Sequence, residues 1–221
     1  MLAVASTVAL GHWQQSRVEA KLALASEYAA RSRSPSVTVP DLRADPGTLQ
    51  FRHVMVKGEY LASSGFLLDN QVLKGVPGYH VITPFKIQGS SMGVLVDRGW
   101  IAAGLRRDQL PDPPVPKGPQ TVEGVAVTPS GRFLELAPDA KQGPLRQNIV
   151  IERLEAELKL SLQPIVIQQI SDAQDGLVRE WPLPDAGADK NRAYAIQWYS
   201  FAALALVLYI VLNLKRVPRA G

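Results

Sequence analysis

One serine motif has the residue types and spacing that could support catalysis. Gly89, Ser91 and Gly93 match the G-x-S-x-G pattern with which α/β-hydrolases present a nucleophilic serine. That chemistry needs a strand-to-helix turn, followed along the chain by an acid and a histidine. Here the motif joins two predicted strands, and no histidine follows His80. We therefore interpret the segment as a Gly/Ser hairpin turn, and the sequence predicts no catalytic site.

The three histidines are the only strong candidate metal ligands, because the chain contains no cysteine. His53 and His80 lie in alternating segments, and we interpret both as solvated strand residues rather than ligands. His12 differs, since it stands beside Trp13 at the end of an uncharged segment, where a haem could use it. The alternative for His12 is a polar residue that marks the lipid headgroup level. The sequence predicts no metal site.

An uncharged segment near the carboxyl end indicates where the protein works. No charged side chain occurs between Ala193 and Leu214. At about 1.5 Å per helical residue, this length is enough for a hydrocarbon layer of roughly 30 Å. Aromatic residues gather near its beginning, at the level that tyrosine and tryptophan prefer. We predict a second transmembrane helix over 193–214, followed by a basic tail at 215–221.

The amino-terminal segment is predicted to be the first of the two spans. Its opening residues are uncharged, but about twelve helical residues cover only roughly 18 Å. Val18, Leu22, Ala25 and Ala29 continue at helical spacing. We therefore expect 1–30 to be a first transmembrane helix with its beginning missing, together with its continuation.

The residues between the two spans form the predicted extramembrane domain, 31–189. Prolines interrupt it from Pro111 to Pro119, where we expect a surface loop, and a short helix is predicted from Ile151 to Leu158. Six segments are predicted strands: 51–61, 65–73, 79–87, 94–102, 121–128 and 164–170. The fold class is therefore α+β, with two transmembrane helices flanking a mainly antiparallel β-sheet or partial-barrel domain.

Charge distribution suggests the orientation of the chain and excludes one class of partner. The net charge of +4 comes largely from the carboxyl tail, and the other basic residues are scattered. This pattern does not favour nucleic-acid binding. The basic tail favours a carboxyl end on the cytoplasmic side, or on the matrix side in an organelle, with the domain in the periplasm or the intermembrane space. We expect a multi-pass protein of the bacterial inner membrane whose central domain lies in the periplasm.

Arg98 is the charged residue whose predicted position most clearly requires a partner of opposite charge. It alternates with Val94 and Val96 on a predicted strand, which places it on the apolar face unless Gly99 bulges the register. An arginine there needs a carboxylate partner, so a structural ion pair is favoured over direct ligand contact. The nearby glycines Gly78 and Gly99 are predicted to serve a turn and a bulge, respectively.

Four ordered motifs run through almost the whole chain. They are Leu10-Gly11-x-Trp13-Gln14-x-x-Arg17 with Lys21, Gly75-x-x-Gly78-Tyr79-x-Val81-x-Thr83-Pro84, Val94-Leu95-Val96-Asp97-Arg98-Gly99-Trp100-Ile101, and Tyr194-Ala195-x-Gln197-Trp198-Tyr199. Together they resemble the Surfeit locus protein 1 family. The resemblance implies a membrane-bound assembly factor for haem-copper cytochrome c oxidase, which assists insertion of haem a into the catalytic subunit and is not an enzyme. It implies transient haem a binding, and as partners the oxidase catalytic subunit, the haem a synthesis machinery and the lipid bilayer.

One departure from the family pattern bears on haem. Members commonly carry a histidine three residues before the tyrosine of the last motif, and Asn191 stands at that position. Asparagine is not a usual haem ligand, so either haem is held elsewhere or this member acts as a scaffold. We predict five residues near haem: His12, Arg192, Tyr194, Gln197 and Trp198. Arg192 could pair with a haem propionate, with an interfacial snorkelling residue as the alternative, and Trp198 is most simply an interface residue. The alternative function is a two-span membrane tether or ligand-sensing module with no haem role.

Overall fold

The computed structural model describes residues 2–104, 109–129, 143–182 and 187–214. Its contacts divide the chain into two compact units, which we describe separately. One unit is Ala29–Trp181, and the other combines Met1–Tyr28 with Pro182–Gly221.

The first unit is a sheet domain that contains all the named strands. In chain order these are β1 (Val37–Thr38), β2 (His53–Tyr60), β3 (Phe66–Leu73), β4 (Val76–Ile87), β5 (Met92–Ala102), β6 (Gln120–Val127), β7 (Leu145–Arg146) and β8 (Ser161–Gln169). Two short α-helices, α2 (Pro46–Leu49) and α3 (Ile151–Leu158), and one 3₁₀ turn (Ala62–Ser64) accompany them. The predicted strands and the predicted helix are confirmed with shifts of a few residues at their ends.

Five strands close into a ring. They pair in the order β2, β6, β8, β5 and β4, and β2 then pairs with β4 through Gly58–Ile87, Glu59–Lys86 and Tyr60–Phe85. All pairs in the ring are antiparallel except β5–β8. The α+β expectation is confirmed, and the predicted partial barrel is a closed one. β3 and β7 extend the sheet beyond β4, and β1 lies along β2.

Alternation along β5 explains how the domain is packed on both sides of the sheet. Val94 and Val96 point into the barrel core, where Phe85 is fully buried. Leu95 points outward and packs under Leu154 of α3. Because both faces of β5 are covered, its residues from Met92 to Val96 carry no charge, and the charged Asp97 and Arg98 follow them.

The turn between β4 and β5 contains the serine motif. Gly89 has φ of 77° and, with Ser90 and Ser91, connects two antiparallel strands. The hairpin interpretation is therefore confirmed. A nucleophile elbow requires a helix after the serine, and here β5 follows.

In the second unit, the described residues form two long helices, α1 (Leu2–Ser32) and α4 (Ala188–Asn213). Among the described residues, α4 is the one helix long and apolar enough to cross a membrane, with a mean hydropathy of 1.9. It begins five residues before the predicted start. The first span assigned to 1–30 stays a prediction, and the basic tail at 215–221 lies outside the described residues.

Closure of the barrel depends on Gly58, which gives the first testable prediction. A Cβ at this position would lie 1.9 Å from the Lys86 carbonyl oxygen on β4. We expect Gly58→Ala to lower the free energy of unfolding by about 1–3 kcal/mol, because the two backbones would have to separate. Chemical denaturation of the full chain in detergent measures this change. Gly143→Ala is the control, since nothing lies within 4 Å of a Cβ there. Equal stability of the two variants would contradict the prediction.

Candidate functional site

The two long helices pack in antiparallel directions through small side chains. Gly11 of α1 faces Tyr199 of α4, and a Cβ on Gly11 would lie 2.6 Å from the tyrosine ring. Ala195 and Ala202 are buried on the same side of α4. Small residues let helix backbones approach closely, as in membrane helix pairs. This pairing therefore depends on residue size at these positions.

Asn191, which stands where the resemblance would place a histidine, connects the two helices. Its Nδ2 donates a hydrogen bond to Gln14 Oε1 at 2.6 Å. Its Oδ1 accepts a hydrogen bond from Lys21 Nζ at 2.8 Å. Both ends of the amide are therefore engaged by α1. Partly buried polar groups of this kind need partners, and here each helix supplies them to the other.

The five residues predicted to lie near haem lie on the two long helices, and four of them are exposed. His12 is exposed, and its ring meets Tyr199 edge-on at a centroid distance of 5.8 Å. Arg192 is exposed, with Nη1 3.3 Å from Asp189 Oδ1. Tyr194 and Gln197 are exposed on α4, and Trp198 is half-buried and packs against Phe201. Within the described part of the chain, no side-chain hydrogen bond or ring contact joins any two of the five. Their assignment to haem stays a prediction.

A second polar group lies inside the sheet domain and centres on Arg98. The side chain is fully buried, and its Nη2 donates to Asp175 Oδ2 at 2.8 Å and to the Pro114 carbonyl oxygen. Arg179 Nη2 donates to the other carboxylate oxygen of Asp175 at 2.7 Å. The predicted ion pair is confirmed. Its carboxylate lies 77 positions away in the chain, where the sequence offered no signal.

A backbone bridge holds this carboxylate in place. Trp100 and Val178 exchange two backbone hydrogen bonds of 2.8 and 2.9 Å. Gly99 has φ of 139°, and a Cβ on it would lie 2.9 Å from the Val178 carbonyl oxygen. Gly99 thus allows residues 175–179 to approach β5. The predicted turn at Gly78 is wrong, because Gly78 lies within β4. A Cβ on Gly78 would lie 2.5 Å from the Trp100 ring, so a glycine is needed here to leave room for that ring.

The electrostatics of the Arg98 group follow from its burial. Burial alone would raise the pKa of Asp175, but hydrogen bonds and charge from Arg179, together with Arg98, outweigh it and hold that pKa below its usual value. Burial raises the pKa of Tyr60 to about 12, so its hydroxyl stays neutral and donates to Gln169 Oε1 at 3.1 Å. The Asp175 carboxylate therefore stays ionised between the guanidinium groups of Arg98 and Arg179.

His80 forms a third polar contact, on the outer face of the same strands. Its Nδ1 lies 2.6 Å from Asp97 Oδ2, and its ring packs against Trp181 at 5.3 Å. The interpretation of His80 as a solvated residue is wrong, because strand pairing of β4 with β5 places a carboxylate beside it. Burial raises the pKa of Asp97, although hydrogen bonds from His80 and Gly99 act to lower it. His53 is also only partly exposed.

Comparison with known proteins identifies the family. Residues 1–203 match the SURF1 family. The chain belongs to this family. It is 25% identical to a SURF1-like protein of Drosophila melanogaster over 99% of this chain and 77% of that protein. It is 30% identical to an uncharacterized SURF1-like protein of Mycobacterium bovis, over 78% of this chain and 65% of the relative. A SURF1-like protein of Rickettsia felis is 24% identical over 92% and 90% of the two chains.

Membership confirms the resemblance that the four motifs indicate. SURF1 family membership suggests a role in cytochrome oxidase assembly at a membrane. All four motifs contribute residues to the geometry described above. Gln14 and Lys21 of the first motif contact Asn191, and Arg98 of the third carries the buried ion pair. The family motifs therefore contain structural residues in both units.

The shared carboxylate yields a prediction about stability. Asp175→Asn removes the only anionic partner that the described residues offer to Arg98 and Arg179. We expect the free energy of unfolding to fall by about 3–5 kcal/mol, because a buried guanidinium loses its counter-charge. Denaturant titration of the full chain in detergent measures the loss. Asp189→Asn is the control, since that carboxylate is 95% exposed and its pair with Arg192 is worth little. Similar small losses for both variants would refute the assignment.

The lowered pKa of Asp175 also predicts how stability depends on pH. In the native state this carboxyl stays ionised below its ordinary value of 3.8, whereas the unfolded chain binds the proton there. The stabilisation from Asp175 is therefore complete above pH 3.8 and is lost as pH falls through the lower native pKa. Unfolding curves collected from neutral to acid pH measure the slope. A variant with Asn at 175 should show a shallower acid slope than the wild type; parallel slopes would contradict the prediction.

Proposed function

We propose that the protein is a membrane-bound assembly factor for haem-copper cytochrome c oxidase, and that it assists insertion of haem a into the catalytic subunit. The observation that carries the proposal is the SURF1 match over 1–203, which includes all of α1 and the first part of α4. The apolar length of α4 supports a membrane location. The protein acts here by binding and positioning and has no catalytic turnover.

The proposed location is the inner membrane of a bacterium. α4 crosses the bilayer, α1 enters it beside α4, and residues 31–189 lie in the periplasm. The antiparallel packing of α1 and α4 supports this topology, since it places the connected ends of the two helices together. The partners are the oxidase catalytic subunit and the haem a synthesis machinery.

Haem a is the cargo in this proposal, and the helix pair is where it is handed over. Asn191 does not serve as a ligand, because both ends of its amide are engaged by Gln14 and Lys21. His12 is exposed and makes no side-chain hydrogen bond within the described residues, so its ring nitrogens are available to iron. Arg192 lies on α4 with more than half of its side chain exposed, as a propionate partner requires.

The remaining predicted residues form an accessible surface on α4. Tyr194 and Gln197 are exposed, and Trp198 is half-buried. In a membrane, an amide such as Gln197 needs a polar partner, and no side chain of the described residues supplies one. Contact with a haem edge or with the oxidase catalytic subunit would satisfy it.

Deleting the gene tests the assembly role. We expect the deletion to lower the haem a signal in reduced-minus-oxidised membrane spectra and to lower oxidase activity, with recovery when the wild-type gene is restored. The spectra of b-type and c-type cytochromes are the internal control, because a general membrane defect would lower them as well. An unchanged haem a signal with unchanged oxidase activity would refute the proposal and favour the tether or ligand-sensing alternative.

Substitution of His12 separates haem handling from scaffolding. If His12 binds iron, His12→Ala should lower the haem a signal of the complemented strain about tenfold or more, since no imidazole remains on the described part of the helix pair. Ser16→Ala, one turn along α1, is the control, because among the described residues its hydroxyl bonds only the Trp13 carbonyl oxygen of the same helix. If His12→Ala supports full oxidase assembly, direct ligation by His12 is wrong and the scaffold version of the proposal stands.

A further inference from the structure

A cavity of about 260 Å³ lies in the sheet domain, beside the Arg98 group. Its volume is near the lower end of the range of roughly 300–1,000 Å³ found for small-molecule sites. Apolar side chains form most of its wall: Phe66, Leu67, Val81, Leu110 and Val115. The strands β3 and β4 form one side, and the proline-rich segment from Leu110 to Val115 forms the other. A ligand held there would bury an apolar body.

Two polar side chains of this cavity are incompletely hydrogen-bonded. Thr83 Oγ1 is buried, and within the described residues it has no hydrogen-bond partner. Arg98 lines the same cavity, and its Nε and Nη1 are buried and have no acceptor in the described part of the chain. Leaving such groups unbonded is destabilising, and more so for a charged group. Both side chains are at least 99% buried, so a hydrogen-bond acceptor for them would have to enter the domain.

The charge balance defines which acceptor fits best. Asp175 neutralises only one of the two guanidinium groups that contact it, and Tyr60 contributes no charge. The buried group therefore carries an excess of one positive charge. Asp112 also lines the cavity, but it is exposed to water, where its charge is screened. An anionic acceptor gains most beside the buried guanidinium.

We propose that this cavity binds a small organic carboxylate, with the carboxylate toward Arg98 and Thr83 and the apolar body along Val81 and Leu110. Arg98 Nε and Nη1 donate to the carboxylate, and the Thr83 hydroxyl donates a third hydrogen bond. The guanidinium is shielded from water, so binding includes a small shift of the segment from Leu110 to Val115, which belongs to no strand or helix. The inference is separate from the haem a proposal, because neither requires the other.

The test uses hexanoate as the probe and the full chain in detergent. Calorimetric titration should show saturable binding with a dissociation constant of about 1 mM or tighter. Hexanol, which has the same apolar chain without the carboxylate, should bind at least about tenfold more weakly, because it offers no charge to Arg98. The absence of saturable hexanoate binding, or equal binding of hexanol, would overturn the proposal.

Variants locate the binding in the cavity. Thr83→Val keeps the shape of the side chain and removes the hydroxyl, so hexanoate should bind about tenfold more weakly. Val115→Phe fills the cavity and should abolish binding, whereas Val72→Phe, the same change at a strand position 68% exposed and outside the cavity, should not. Undiminished binding to the Val115→Phe variant would place hexanoate elsewhere and refute the site.

The two proposals fail in different experiments. Complementation of the gene deletion reports on oxidase assembly and does not depend on hexanoate. A chain that restores haem a but shows no hexanoate binding leaves the assembly role intact and refutes the cavity. If the chain binds hexanoate and deletion of its gene changes neither the haem a signal nor oxidase activity, the cavity proposal stands and the assembly role is refuted. That result supports a ligand-sensing module.

Discussion

Pairing of β2 with strands on both sides is the constraint on which the sheet domain depends. β2 bonds β6 along one edge and β4 along the other, and the second pairing closes the ring. The two backbones approach so closely at Gly58 that no side chain fits there. A ring without open edges protects its own backbone hydrogen bonds and encloses one apolar core. The outer face of β5 then remains for α3 to cover.

Closure of the ring also explains why charged groups can exist inside the domain. Arg98 follows Val94 and Val96 on the inner face of β5, so the strand brings it inside whatever its charge. Residues after β8 return along β5 and supply Asp175, with Gly99 permitting the approach. The carboxylate is shared with Arg179, and the resulting excess of positive charge makes this group the chemically distinctive part of the domain.

The helix pair uses a different kind of interaction. Small residues at Gly11, Ala195 and Ala202 bring the backbones together, and the hydrogen bonds of Asn191 align the two helices in one register. An amide can join two helices from both of its ends, whereas a neutral imidazole offers one donor and one acceptor on a rigid ring. The asparagine at this position therefore has a structural role in this chain, and His12 is left as the accessible imidazole of the pair.

Local pattern was sufficient for the elements and insufficient for their partners. Period-two alternation located the main strands, an uncharged run located α4, and ordered motifs identified the family, because each of these is written in adjacent residues. The sequence also indicated that Arg98 needs a carboxylate partner. The sequence did not show that Asp175 is this carboxylate, that His80 contacts Asp97, or that Asn191 contacts Gln14. These pairs join residues distant in the chain, and only the strand register and the helix packing of the folded protein bring them together.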